Sequence, residues 1–398
     1  MNADTRRNYY LITATYWVFT ISDGALRMLV LLHFYSIGYD TLQIALLFVL
    51  YEFAGVFTNL VGGWIATRLG LKFTLVAGLM LQVIALLSLA NLNVSWPLWQ
   101  SVSFVMVIQA LSGIAKDLTK LSAKSAVKLI VAKDDHQVLF NWVAILTGSK
   151  NTLKGLGFFI GGMLLAWLGF IAALYTLALF VALALLFALV IESMGKATEK
   201  VAFSRILSQI PAINILSGAR FFLFGARDIW FVVGLPVFLA AELGWSHSEI
   251  GSFMAFWIIG YGIVQTFVPK LVDGNEKSAS RWLLALILVT GVTAFTLLFT
   301  LQSILPFLLG LMLFGLIFAI NSSIHSFLIL AYSDNDKVLL NVGFYYMANA
   351  GGRLSGTLIS GLAYHFGGMF FCIVASIVFL VFSWLITLML PKVPFIRP

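Results

Sequence analysis

Apolar runs long enough to cross a bilayer recur along this chain from one end to the other, and that restricts it to one class of fold. A crossing helix needs about 20 predominantly apolar residues. Twelve such runs are read at roughly 9–36, 41–67, 73–92, 98–122, 137–167, 170–193, 211–240, 246–270, 281–301, 304–331, 338–365 and 369–391. Only 10% of the residues are charged and 61% are hydrophobic, against about 25% charged in a soluble domain. Backbone polar groups within lipid must be satisfied inside their own segment. The expectation is therefore an all-α integral membrane protein with twelve transmembrane helices.

The net charge of +8 reads as topology. Arg6, Arg7, Arg68, Lys72, Lys128, Lys133, Lys196, Lys200, Arg205, Lys270, Lys277, Arg281, Lys337, Lys392 and Arg397 fall in alternate connections, and the opposite connections hold no Lys or Arg. The positive-inside rule then places both termini in the cytoplasm. These short loops offer no exposed basic patch for a phosphate backbone, so nucleic acid is not an expected partner. Arg6 and Arg7 precede the first run without a cleavage site of small residues, so that span is expected to stay uncleaved. Cys372 is the single cysteine, which excludes an internal disulfide and a thiolate metal cluster. The five histidines, at 33, 136, 247, 325 and 365, lack ligand spacing, and no Walker signature is present. Neither a catalytic residue, a metal nor a cofactor is implied. A membrane enzyme would need a nucleophile or metal near an interface, and a receptor derived from a permease would add a soluble domain.

Nine basic side chains lie within or close to the apolar spans: Arg27, Lys116, Lys120, Lys124, Lys150, Lys154, Arg220, Arg227 and Arg353. Four acids share the zone: Asp23, Glu52, Asp117 and Asp228. Each charge at the bilayer centre costs roughly 2.5–3.5 kcal/mol on insertion scales. A surplus of cations at that cost points to a polar cavity that holds a multiply charged anion.

The longest polar connection, residues 194–210, divides the chain into six-span halves at 1–193 and 211–398. Twelve spans split this way resemble the major facilitator superfamily, whose halves are parallel repeats around a site near the midplane. The turn Gly38-Tyr39-Asp40 lines up with Gly244-Trp245-Ser246. Lys154, Gly157, Gly162 and Gly169 line up with Arg353, Gly356, Gly361 and Gly368 at a constant offset. Residues 63–72 resemble the superfamily's gating-loop signature through Gly63, Arg68, Gly70 and Lys72, with Thr67 where the acid is expected. Gly157, Gly161 and Gly162 form a ridge of small residues suited to close helix packing.

Several residues are candidates for contact with the anion. Arg27 and Arg227 sit mid-span in the first and seventh spans, and an Arg fork suits phosphate-like oxygens. Organophosphate/phosphate exchangers resemble this layout. Asp23 faces Arg27 one turn away, whereas Asp228, adjacent to Arg227, is not expected to cancel it. Lys116, Lys120, Lys124 and Lys128 form one stripe, the outer two suited to snorkelling and Lys116 and Lys120 deeper. Lys150 and Lys154 share a face well inside the fifth span. Arg353 is the counterpart of Lys154, with Asn349 one turn earlier, and Arg220 reads as structural. Asp23, Glu52, Asp117, Asp228 and His325 are the candidates for proton coupling or for counter-ions.

A narrower resemblance rests on four stretches: residues 16–27 (YWVFTISDGALR), 115–120 (AKDLTK), 148–151 (GSKN) and 224–236 (FGARDIWFVVGLP). They resemble the ArsJ organoarsenical efflux permeases, and the likeness runs over nearly the whole chain. It implies a secondary exporter of 1-arseno-3-phosphoglycerate, by alternating access coupled to protons, that confers arsenate resistance. It also implies a functional link to a glyceraldehyde-3-phosphate dehydrogenase that makes the cargo. An organophosphate/phosphate exchanger is the alternative, and a monomer is the expected state. One cysteine argues against arsenite, a soft species that prefers several thiolates.

Overall fold

The computed structural model describes residues 3–93, 95–130, 136–191, 210–297, 303–333 and 338–392, so the expected linker at 194–210 lies almost wholly outside them. The helices in chain order are α1 (Ala3–Ser36), α2 (Thr41–Leu47), α3 (Val49–Leu69), α4 (Leu71–Ala90), α5 (Leu98–Ile130), α6 (His136–Val190), α7 (Pro211–Phe231), α8 (Gly234–Ala241), α9 (His247–Leu271), α10 (Glu276–Thr296), α11 (Leu305–Ala331) and α12 (Val338–Thr387).

Among the described residues, ten helical segments are long and apolar enough to cross a membrane. Two of them, Gly148–Val190 with 43 residues and Gly343–Thr387 with 45, would each extend for about 65 Å at ~1.5 Å per residue. That is twice the ~30 Å hydrocarbon thickness, so each is two spans. The breaks fall where the sequence repeat aligns two glycines, Gly169 at φ 73° and Gly368 at φ 61°. Only a residue without Cβ takes that conformation at no steric cost. Counted this way, the described residues hold the expected twelve spans. In the opposite sense, α2 with α3 and α7 with α8 are single spans interrupted at Phe48 and at Val232–Val233.

The chain forms two compact units. One comprises Met1–Gly38, Leu46–Phe203 and Trp245–Ile259; the other comprises Tyr39–Ala45, Ser204–Gly244 and Gly260–Pro398. In the first, α6 packs against α1, and in the second α12 packs against α7. A Cβ on Gly157 would collide with the Ile21 carbonyl of α1, and one on Gly356 would sit 2.6 Å from the Gly225 carbonyl of α7. Small residues at equivalent places therefore set the same close approach in both units, where lipid supplies no hydrophobic force between helices. The aligned turns also match in detail. Asp40 and Gln43 exchange hydrogen bonds of 2.9 and 3.0 Å as a capping box, and Ser246 with Glu249 does the same at 3.3 and 2.7 Å.

Hydroxyl groups inside the spans turn back onto their own helix. Thr20, Thr58, Ser122, Thr290 and Thr387 each donate to the carbonyl four residues earlier, which satisfies a group that lipid cannot. Large apolar side chains such as Trp167 and Phe366, 73% and 74% exposed, cover the outer surface. That is the arrangement a lipid-facing wall requires.

Candidate functional site

The first unit gathers its charged side chains from four helices. Asp23 and Arg27 occupy one face of α1, but they do not pair as the sequence suggests. Arg27 Nη1 donates to Glu52 Oε1 of α3 at 3.1 Å, and Asp23 Oδ1 instead accepts the Tyr51 hydroxyl at 2.5 Å. Lys154 Nζ of α6 lies 3.9 Å from Asp23 Oδ2. The reason is reach. Glu52, with no exposed surface, cannot stay ionised in an apolar helix without a cation beside it, and Arg27 is long enough to cross to α3. The Arg27 guanidinium stands 4.9 Å from the Phe48 ring and 5.6 Å from the Tyr51 ring, while its Nη2 is buried without a hydrogen-bond partner.

The α5 stripe continues this cluster. Lys116 Nζ stands 4.1 Å over the Tyr51 ring. Lys120 Nζ donates to Asp117 Oδ1 at 2.7 Å and to Asn59 Oδ1 of α3 at 2.5 Å. Asp117 is fully buried and feels Lys150 of α6 as well as Lys116 and Lys120. A buried chain from Ser112 through Gln82 to the Ser22 hydroxyl, at 2.7 and 3.2 Å, ties α5 and α4 to α1 beside Asp23. The unit thus brings together five bases, Arg27, Lys116, Lys120, Lys150 and Lys154, and three acids, Asp23, Glu52 and Asp117.

The corresponding cluster of the second unit consists of Arg220, Arg227 and Arg353 with one acid, Asp228. Asp228 Oδ1 accepts from Arg227 Nε at 2.7 Å, and Asp228 Oδ2 accepts from Arg353 Nε at 3.1 Å. Sequence adjacency was expected to keep Arg227 and Asp228 apart. Instead the long Arg227 side chain folds back, its guanidinium beside the paired rings of Phe224 at 4.9 Å and Phe318 at 5.3 Å. Arg220 is buried more deeply. Its Nε donates to Asn349 Oδ1 at 3.0 Å, its Nη1 to the Ser322 carbonyl at 3.1 Å, and the group stacks 3.8 Å from the Phe224 ring. Asn349 is therefore the partner of Arg220. His325, without exposed surface, lies within the electrostatic range of Arg220, and neither ring nitrogen has a hydrogen-bond partner. Tyr261 and Gln265 of α9 meet Ser322 Oγ at 3.1 Å each.

The two units share one pattern. The carboxylate of their first helix, Asp23 or Asp228, takes the cation of the fifth, Lys154 or Arg353. Both clusters retain a surplus of two positive charges.

The expected gating loop is mostly helix. Gly63 and Arg68 belong to α3, with side chains outside the described residues, and Gly70 at φ 82° makes the only break before α4. Lys72 Nζ donates to the Leu189 carbonyl at 2.9 Å, near the end of α6. Tyr51, Asn59, Gln82 and Gln265 escaped the sequence reading. Asn59 had a signal, because it lies seven residues after Glu52 on the same helical face. Among the described residues no group of His, Cys, Asp and Glu is placed to hold a metal ion.

Comparison with known proteins agrees with this architecture. No curated protein matches the sequence. The solved structures similar to it include a bacterial homologue of the iron transporter ferroportin in an inward-facing state, with a TM-score of 0.72 and 15% identity over 98% of this chain and 99% of that one. A POT family transporter in complex with a thioalcohol-conjugated peptide gives 0.73 and 14% over 96% of each chain. The human organic anion transporter MFSD10 gives 0.70 and 15% over 97% of this chain and 100% of that one. At such identities the likeness establishes the fold alone. The sequence profile of the Major Facilitator Superfamily matches residues 12–232 and again 216–398. A twelve-span helical chain with that profile in each half is a multi-pass transporter and not an enzyme, and it belongs to the major facilitator superfamily.

Proposed function

We propose that this transporter exports a multivalent organic anion from the bacterial cytoplasm, and that the cargo is 1-arseno-3-phosphoglycerate. One observation carries the anion class: among the described residues, the charged cluster of each unit holds two more cations than acids. A neutral or cationic cargo would leave that charge uncompensated at a cost of several kcal/mol per ion. An ester with a phosphate and an arsenate group compensates it, through forks and point charges suited to such oxygens. The arsenic chemistry rests on the resemblance of the four stretches to the ArsJ permeases. With it come the functional link to a glyceraldehyde-3-phosphate dehydrogenase, arsenate resistance and a bacterial inner-membrane location; the cytoplasmic termini rest on the positive-inside pattern, and a monomer is the default for this fold.

In this reading Arg27, Lys116, Lys120, Lys150, Lys154, Arg227 and Arg353 meet the anion, and Asn349 holds Arg220. Asp23 and Glu52 are the proposed coupling acids for proton exchange. Residues 63–72 act in gating and the cargo moves by alternating access.

Everted membrane vesicles, which turn export into uptake, test this. With arsenate, glyceraldehyde 3-phosphate, NAD and the dehydrogenase outside, arsenic accumulates only when dehydrogenase and transporter are both present. Equal accumulation from arsenate alone would make the inorganic ion the cargo. One arginine mid-span in each of the first and seventh spans also suits an organophosphate/phosphate exchanger. That second reading requires phosphate inside the vesicles for any uptake.

A further inference from the structure

We infer that Asp228 is an internal occupant of an oxyanion site, and that the transported anion binds by taking its place between Arg227 and Arg353. This rests on the reading that those arginines meet the cargo. Asp228 presents one carboxylate oxygen to each guanidinium, at 2.7 Å from Arg227 Nε and 3.1 Å from Arg353 Nε. A carboxylate bridging two guanidiniums reproduces what a phosphate or arsenate ester would receive there. The accessibilities differ in the required sense. The Arg227 and Arg353 side chains are 12% and 15% exposed, while Asp228 is 0% exposed. The cations therefore border reachable space and the carboxylate sits behind them.

The surroundings hold the cations still. Arg227 packs against both Phe224 and Phe318. The backbone of Asp228 is fixed where α7 meets α12, since its Cβ stands 2.9 Å from where a Cβ on Gly356 would be. The carboxylate can rotate about its own side-chain bonds, but its helix cannot retreat. One carboxylate shared by two guanidiniums leaves one positive charge over, so a dianion has a net electrostatic gain on displacing it. The same competition weakens binding, and a transporter needs a site that also releases. Asp228 thus sets affinity: it excludes weak monoanions and returns to the arginines when cargo leaves.

The test uses the purified full-length protein with 3-phosphoglycerate as the probe, read by thermal unfolding and equilibrium binding. Asp228→Asn removes the competing charge and keeps the shape. The expected result is a lower melting temperature without anion, a larger rise on adding 3-phosphoglycerate than wild type shows, and binding about tenfold tighter. If the variant folds only when prepared in 3-phosphoglycerate, the anion is standing in for the carboxylate and the inference holds. If it folds in neither condition, the anion cannot replace Asp228 and the inference is overturned. If wild type binds the probe and the variant binds it equally or more weakly, the inference fails while the anion reading stands. Wild type that binds no probe, together with arsenic uptake unchanged in Arg227→Gln and Arg353→Gln vesicles, removes both.

Discussion

A single buried pair shows how much of the site depends on reach across helices. Arg27 and Glu52, 7% and 0% exposed, are joined at 3.1 Å. Removing one partner of a buried pair leaves an uncompensated charge and costs about 3–5 kcal/mol, more than replacing both. Arg27→Gln is therefore expected to unfold at lower temperature than the Arg27→Gln/Glu52→Gln double variant, as thermal unfolding in detergent would show. If Glu52 also carries the coupled proton, Glu52→Gln vesicles lose gradient-driven accumulation and keep exchange of cargo for cargo. Loss of neither removes that role. The sequence showed which charges lie at depth, because any Lys or Arg in an apolar run is conspicuous. It did not show which charges meet. Asp23 could turn to Arg27 on its own helix or to Lys154 on α6, and packing of α1 on α6 decides for Lys154. Arg227 and Asp228 point apart on a helical wheel, yet a side chain as long as arginine's can fold back to its neighbour.

At the level of elements, small residues decide where charges land. Gly157 lies one turn from Lys154, and Gly356 one turn from Arg353. Each admits the first helix of its unit so closely that a Cβ has no room. Gly157→Ala and Gly356→Ala are expected to cost about 1–3 kcal/mol through overpacking. Each would also pull the fifth-helix cation off its carboxylate, so transport falls further than stability does. Vesicle uptake and melting temperature measured on the same preparations separate the two effects. Gly169→Ala, at a turn with open space around it, is expected to cost about 1–3 kcal/mol through backbone strain alone and to leave transport intact. The spans and their glycine-marked turns were legible, since hydropathy and the repeat both report them. The interruption at Phe48 was not, because no Gly or Pro stands beside it; the one at Val232–Val233 had an unread signal in Gly234 and Pro236, since Pro236 cannot donate to the Val232 carbonyl. The motif at 63–72 gives residue types and not helix ends: α3 runs to Leu69, two residues beyond the expected end of that span.

For the whole molecule, the charge of the proposed cargo, 1-arseno-3-phosphoglycerate, determines what would drive it. A phosphate ester carries about −1.5 to −2 at neutral pH, and an arsenate ester with similar acidity brings the total to about −3 or beyond. Exchange for one proton then moves about four charges outward-negative per cycle. Across 100 mV that is worth roughly 9 kcal/mol at ~2.3 kcal/mol per charge, while a pH difference of one unit contributes ~1.4 kcal/mol for one proton. The electrical term dominates even when a proton is exchanged. In everted vesicles the inside-positive potential draws the anion in. Valinomycin with matched potassium, which removes the potential, is expected to abolish most arsenic accumulation. Nigericin, which removes the pH difference, is expected to leave most of it. The reverse order would mean that compensating charges travel with the anion, as in exchange for phosphate or co-movement of several protons. Accumulation that survives both treatments would mean that the cargo's own concentration gradient suffices and that no acid in either unit couples transport to protons.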